Sequence, residues 1–200
     1  MIWNTEPLDS LLPQIWNALE TGCRDLHHPF RTPALGTVSA TGAELRTVVL
    51  RAVEPTPRLL VCHSDFRAGK IRDLQRHPQV QWLFYHPQDK IQICARAIAT
   101  VHRHDAVAEA AWRKTPLPSR VNYGTRFAPG TKIKNPDDAW PASLRNRELT
   151  LEESEAGWPN FAVIVTRVEQ FEFLQLDPDG HRRVAFTRNG KRFVSTRLVP

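Results

Sequence analysis

Cysteine is scarce in this chain of 200 residues: Cys23, Cys62 and Cys94 lie far apart, none in a C-x-x-C spacing. Two of them fall inside apolar strands, so a disulfide scaffold or zinc ribbon is set aside in favour of reduced core thiols. Glycine is sparse as well, nine residues against sixteen prolines, a balance that suits many bounded strands and loops better than long helices. No stretch approaches the roughly eighteen apolar residues of a membrane span. The opening residues MIWNTEPLDS lack the basic-then-apolar order of an export signal. Neither a repeat nor a low-complexity tract interrupts the chain. A cytoplasmic protein of one domain, residues 1–200, is expected, with a core of ordinary size.

Charge of one sign is in excess, +6 with a pI near 9.6, which raises nucleic acid as a partner. The Arg and Lys residues are scattered over every segment, and no finger or RNA-reading aromatic motif is present, so that partner is set aside. An anionic small ligand accounts for part of the excess. His27-His28 before Pro29 has no carboxylate or cysteine at ligand spacing, so no metal is expected.

What is present reads mainly as β. Leu8 to Leu26 carries apolar residues at helical spacing, with Asp9 or Ser10 as cap and Gly22 as stop. Strands are expected at Phe30 to Ala40, Glu44 to Val53, Arg58 to His63, Val80 to Tyr85 and Lys90 to His102, with a short helix from Arg67 to Arg76. Strands so closely spaced favour a closed antiparallel barrel over a βαβ sheet. Asp105 to Lys114 is a helix. Residues 119–156 show no sustained period and read as a long excursion, the sort of loop that covers a site. Within it Thr150 and Glu153 stand in capping-box order. Residues 161–200 supply the strands that complete the barrel: Phe161 to Leu176, His181 to Arg188 and Arg192 to Leu198, the last two joined at Asn189-Gly190.

The chemistry concentrates between Arg46 and Gln92. Arg46 opens a β-branched run read as one strand, so Arg46, Val48 and Leu50 share a face and Thr47, Val49 and Arg51 share the other. The strand ending at His63-Ser64-Asp65 runs into a loop that puts Arg67 and Lys70 at the start of a helix, which His77-Pro78 ends. A hydroxyl, an ammonium, a guanidinium and helix-start amides converging on one place make a site for a phosphate monoester.

At these residues the chain resembles the pyridoxamine 5'-phosphate oxidase family, whose members fold as FMN-binding split β-barrels with peripheral helices. The matching pieces are Arg-x-Val-x-Leu-[Lys/Arg] at Arg46 to Arg51, an aromatic-hydroxyl pair at His63-Ser64, Lys70 with Pro78 eight residues on, Gln92 in an apolar strand, and the closing Arg197-Leu198-x-Pro200. The resemblance implies FMN as cofactor and a homodimer. It makes Arg46 and Lys70 phosphate ligands and Ser64 a hydroxyl on the same phosphate. Val48 and Val49 would border the isoalloxazine, Thr47 and Arg51 fall in the same cofactor-binding stretch, and Gln92 would reach the flavin of the partner. His63 stands where the family usually has an aromatic residue. Gly69 replaces a basic one, with Arg67 offered to the phosphate instead.

The substrate half of the pattern departs from the family. Its Lys, Tyr, Arg and Ser for the substrate phosphate read Arg51, Ala111, Thr115 and Ser119; its Arg-x-His reads Arg182-Arg183-Val184, and its flavin-side Trp is Leu174. Arg51, Ser119, Arg182 and Arg183 are therefore the candidates for a small, anionic, different substrate. The resemblance implies an FMN-dependent oxidoreductase. The alternative is a non-catalytic flavin carrier or sensor. Haem on the same barrel is the weaker third, since His27, His63, His86 and His181 show no pattern that picks out an axial ligand.

Overall fold

The computed structural model describes Trp3, residues 5–140 and residues 148–200. Part of the expected 119–156 excursion, 141–147, therefore lies outside the described residues. Helix α1 (Leu11–Arg24) follows a single 3₁₀ turn at Leu8–Ser10 and buries Leu11, Ile15, Trp16, Ala18 and Leu19 on one side. Gly22 is not its stop. The helix runs two residues further, and Gly22 lies inside it because a Cβ there would come within 2.7 Å of Phe30 Cβ. Phe30, expected in a strand, sits in a 3₁₀ turn at Pro29–Arg31, where its amide donates to His28 Nδ1.

Strands β1 (Ala34–Ser39), β2 (Gly42–Thr47), β3 (Leu50–Glu54) and β4 (Leu59–Asp65) come next, then helix α2 (Gly69–Arg76) and strands β5 (Gln79–His86) and β6 (Ile91–His102). Helices α3 (Ala106–Lys114), α4 (Leu117–Arg120) and α5 (Leu151–Ser154) precede β7 (Phe161–Gln175), β8 (Arg182–Asn189) and β9 (Arg192–Leu198). All pairings are antiparallel, in the order β2-β1-β5-β6-β7-β4-β3. The 15-residue β7 pairs β4 along its first half and β8 along its second. Strands β8 and β9 thus branch from the far half of β7 rather than lying in the main path.

Among the described residues the sheet does not close by hydrogen bonds. Its edge strands β2 and β3 pair with β1 and β4 at opposite ends and are joined only through Val48-Val49. The single strand expected from Glu44 to Val53 is therefore two strands. The shared face of Arg46, Val48 and Leu50 is lost with it, because face alternation holds only within one continuous strand. This covalent link in place of a ladder makes the architecture a split barrel.

The barrel core alternates as a half-buried sheet must: Val80, Trp82 and Phe84 point in from β5 while Gln81 and Tyr85 point out. Trp82 Nε1 donates to Thr166 Oγ1 at 3.0 Å, and Thr166 donates onward to the Leu60 carbonyl at 2.9 Å, so the buried polar atoms are satisfied in one chain. A smaller cluster forms where α3 and the following turns cover β4 and β7. It holds Val61, Ala108, Trp112, Tyr123, Phe161 and Val163. There Arg120 lies over the Trp112 ring at 4.6 Å and is buried by bonds to Thr115 O, Trp112 O and Glu155. Thr150 caps α5 as the sequence suggests, its hydroxyl accepting from the Glu153 amide and the Glu153 carboxylate accepting from the Thr150 amide. No helix among the described residues is long and apolar enough to cross a membrane.

Candidate functional site

The end of β2 and the β4–α2 turn bring Arg46, Ser64 and Lys70 into one region. Lys70 Nζ donates to Ser64 Oγ at 3.1 Å, and Ser64 donates to the Asp65 carbonyl at 3.0 Å. The Ser64 oxygen is buried, so the ammonium is held at a fixed point of the turn. Burial pulls the Lys70 ammonium below its ordinary value, and the charge of Arg46 pulls the same way. Among the described residues Lys70 meets no carboxylate within 4 Å. Two cations that raise each other's energy in a partly desolvated place favour an anion between them.

Arg46 is anchored from below: its Nη1 donates to Thr37 Oγ1 at 2.7 Å and reaches the carbonyls of Leu35 and Glu44 at 3.3 and 3.1 Å. The Glu44 carboxylate stands off at 3.9 Å and is half exposed, too weak a partner to neutralise it. Helix α2 begins at Gly69 with no side-chain cap; the Ile71 amide donates to the Ala68 carbonyl at 3.0 Å, which leaves the Gly69 and Lys70 amides at the helix start.

Arg67 is occupied elsewhere. Its Nε and Nη2 clamp the Asp65 carboxylate at 3.0 and 2.7 Å, while Nη1 and Nη2 donate to the Thr125 carbonyl and hydroxyl at 3.0 and 2.9 Å. This fork ties the β4–α2 turn to the loop after α4. It also takes up the one acid of the turn. Thr125 is the residue that sequence reading missed here, since its contact with Arg67 spans 58 positions, whereas the Asp65 pairing is two residues away.

Thr47 is exposed, and Val48 and Val49 form the half-buried crossing between β2 and β3, with the Val48 amide donating to the Pro33 carbonyl. Gln92 alternates with buried Ile91 and Ile93, so it lies on the outer face of its own barrel, with Nε2 3.7 Å from Cys94 Sγ. Arg51 and His63 lie on paired strands β3 and β4. Burial holds the His63 imidazole at about 4, with the Arg51 charge adding to the effect, so the ring is neutral at ordinary pH.

The substrate candidates are not one group. Ser119 sits in α4, Arg182 reaches Thr5 Oγ1 at 3.3 Å, and Arg183 pairs with Glu172 at 2.8 Å. The Thr115 hydroxyl is turned back onto the Ala111 carbonyl at 2.9 Å. Among the described residues no three His, Cys, Asp or Glu are grouped to hold a metal.

Residues 13–103 match the family described as pyridoxamine 5'-phosphate oxidase, FMN-binding domain. A pyridoxamine 5'-phosphate oxidase-related, FMN-binding protein of Nostoc punctiforme PCC 73102 superposes with a TM-score of 0.72 at 22% identity, over 94% of this chain and 96% of that one. PhzG from Burkholderia lata 383, in complex with tetrahydrophenazine-1-carboxylic acid, gives 0.70 at 17% identity, over 98% and 94%. A Clostridium acetobutylicum protein related to general stress protein 26 gives 0.54 at 7% identity, over 95% and 96%. No curated protein matches. The fold is that of the FMN-binding split barrels.

Proposed function

From a pyridoxamine 5'-phosphate oxidase-like chain with an FMN-binding split barrel, we propose a homodimeric, cytoplasmic FMN-dependent oxidoreductase. Its substrate is a small anion other than pyridoxamine 5'-phosphate. The observation that carries the reading is the convergence of Arg46, Ser64 and Lys70, two cations and a fixed hydroxyl with the local acid withdrawn by Arg67. These groups fit a phosphate monoester, and they would hold the FMN phosphate.

FMN, when bound, supplies the hydride acceptor; the protein supplies binding, orientation and electrostatics. Arg46 and Lys70 would neutralise the phosphate, and the Val48-Val49 crossing would supply backbone groups to the ring. Gln92 faces out of its own barrel, which supports its service to a second subunit. A partner would also cover the exposed Leu45, 75% accessible, beside a cleft of about 460 Å³ lined by Val38, Leu45, Val80 and Ile98. A different substrate is supported by the turned-in Thr115, the methyl group of Ala111 and the pairing of Arg183 with Glu172.

Purified protein is expected to carry FMN, with Arg46→Ala or Lys70→Ala each weakening it by about tenfold or more, the worth of a charge-assisted contact. Equal FMN affinity in both variants overturns the cradle. Anaerobic titration with a panel of small anionic reductants tests the redox half: bleaching of the yellow absorbance by one of them is expected, and its absence across the panel leaves only a binder. Pyridoxamine 5'-phosphate itself is expected to turn over poorly. A kcat/KM of about 10⁴ M⁻¹s⁻¹ or more for it would refute the divergent substrate.

A further inference from the structure

Beside the phosphate cradle lies a second set of polar groups that the cradle does not use. Arg51 is the extra residue of a bulge: Leu50 pairs with Cys62 and Ala52 with Val61, leaving Arg51 no partner of its own in the ladder. Bulges re-aim the side chain they carry and recur beside active sites. The Arg51 guanidinium makes no hydrogen bond or ion pair among the described residues, and its Nε is sealed from solvent without a partner. His63, next to Cys62 on β4, has its Nδ1 sealed in the same condition. Buried polar atoms are rarely left so, and each exception calls for a cause.

Tyr123 joins them from the turn after α4. Its ring stands edge-on to Phe161, centroids 5.0 Å apart, and the His63 ring stands edge-on to the same Phe161 at 4.8 Å. Tyr123 is 8% exposed, yet its hydroxyl has no hydrogen bond among the described residues. Burial pushes the phenol up to about 12, against a pull from the charge of Arg51, and that same charge acts on His63. The phenol stays protonated and the imidazole neutral, so both can donate. Asp65, an acid within electrostatic reach of the phenol, is clamped by Arg67. A forked cation with a hydroxyl and a ring N–H, and no free acid, is a donor set for an oxyanion.

We propose that Arg51, His63 and Tyr123 form an oxyanion subsite for a carboxylate or phosphate on the substrate, with Tyr123 as the residue that positions it. The inference deepens the flavin reading and rests on it only in calling that ligand the substrate. Arg51 is already a substrate position in the family pattern; Tyr123 and His63, which share the Phe161 ring, are not, the other substrate positions falling on Ala111, Thr115 and Ser119.

FMN-loaded protein is titrated calorimetrically with benzoate, with phenyl phosphate and with benzyl alcohol as the uncharged control, the flavin spectrum being followed in parallel. One or both anions bind and benzyl alcohol does not; a preference for benzoate assigns a carboxylate, and a preference for phenyl phosphate a phosphate ester. Tyr123→Phe keeps the ring against Phe161 and removes only the hydroxyl, so it weakens the bound anion by about tenfold while FMN affinity is unchanged. Unaltered anion binding in Tyr123→Phe, or equal binding of benzyl alcohol, overturns the proposal. The three residues belong to one chain, so the titration also reads the subsite without flavin. Anion binding lost in Tyr123→Phe by a protein that takes no FMN would uphold the subsite and defeat the flavin reading.

Discussion

The two hydrophobic clusters of this molecule are built to different standards. The barrel core is broad and almost wholly apolar, with Trp82 and Phe84 stacked at 6.0 Å and α1 sealing one side through Trp16 against Phe171. The cluster under α3 is small and aromatic, and its rings carry or touch polar groups: Tyr123, His63 and the buried Arg120 all meet Phe161 or Trp112. The first cluster borders the phosphate cradle, Leu35 pairing with Arg46 and accepting its hydrogen bond. The second carries Tyr123 and packs its Phe161 ring against His63. A broad apolar core thus stands beside a thin aromatic one that meets a sealed, unpartnered imidazole nitrogen at His63.

That contrast can be broken at the barrel first. Trp82→Ala removes the largest fully buried side chain and leaves the Thr166 hydroxyl without its donor, a loss of about 3–5 kcal/mol. Urea denaturation should report it as a global shift of the whole transition, and a loss below about 1 kcal/mol would show that the barrel is not the dense member of the pair.

The next effect belongs to the thin cluster. The folded value of His63, about 4, lies below the ordinary 6.5. The unfolded chain therefore takes the proton first as the pH falls. Stability from this group is complete above pH 6.5 and is lost as the pH drops toward 4, by roughly 2–3 kcal/mol between pH 7.5 and 4.5. His63→Phe keeps a ring against Phe161 and should lose that much less over the same interval. Parallel pH profiles for the two proteins would rule out a buried neutral histidine.

The smallest effect sharpens the edge of the same region. Thr150→Ala removes the α5 cap at a cost of about 1 kcal/mol. Because α5 is a single turn, the loss should appear as faster hydrogen exchange of the Glu153 and Ser154 amides with the barrel amides unchanged. A global shift of equal size would mean that the two clusters unfold as one.

Much of the fold was readable because strand period, turn chemistry and capping are local. The alternation of Val80 to Tyr85, the Asn189-Gly190 turn and the Thr150–Glu153 box each depend on neighbours in the chain, and each formed as expected. The break at Val48-Val49 was not readable. RTVVLR is a good β run in isolation, and only the distance between β1 and β4 forces it to cross from one sheet edge to the other. Gly22 misled for the same reason: a helix-stop residue by propensity, it is held inside α1 by the closeness of Phe30.

The site divides along the same line. Composition and order alone supplied the basic turn at Arg67 and Lys70, the hydroxyl of Ser64 and the cation of Arg46, because residue type decides what charge a segment carries. Tertiary structure decided how those charges are used. It assigned Arg67 to Asp65 and Thr125, left Lys70 with no carboxylate within 4 Å among the described residues, and set Tyr123 and His63, 60 positions apart, on the common ring of Phe161. A charge is written in one residue, but its partner, its desolvation and therefore its availability are properties of the packed chain.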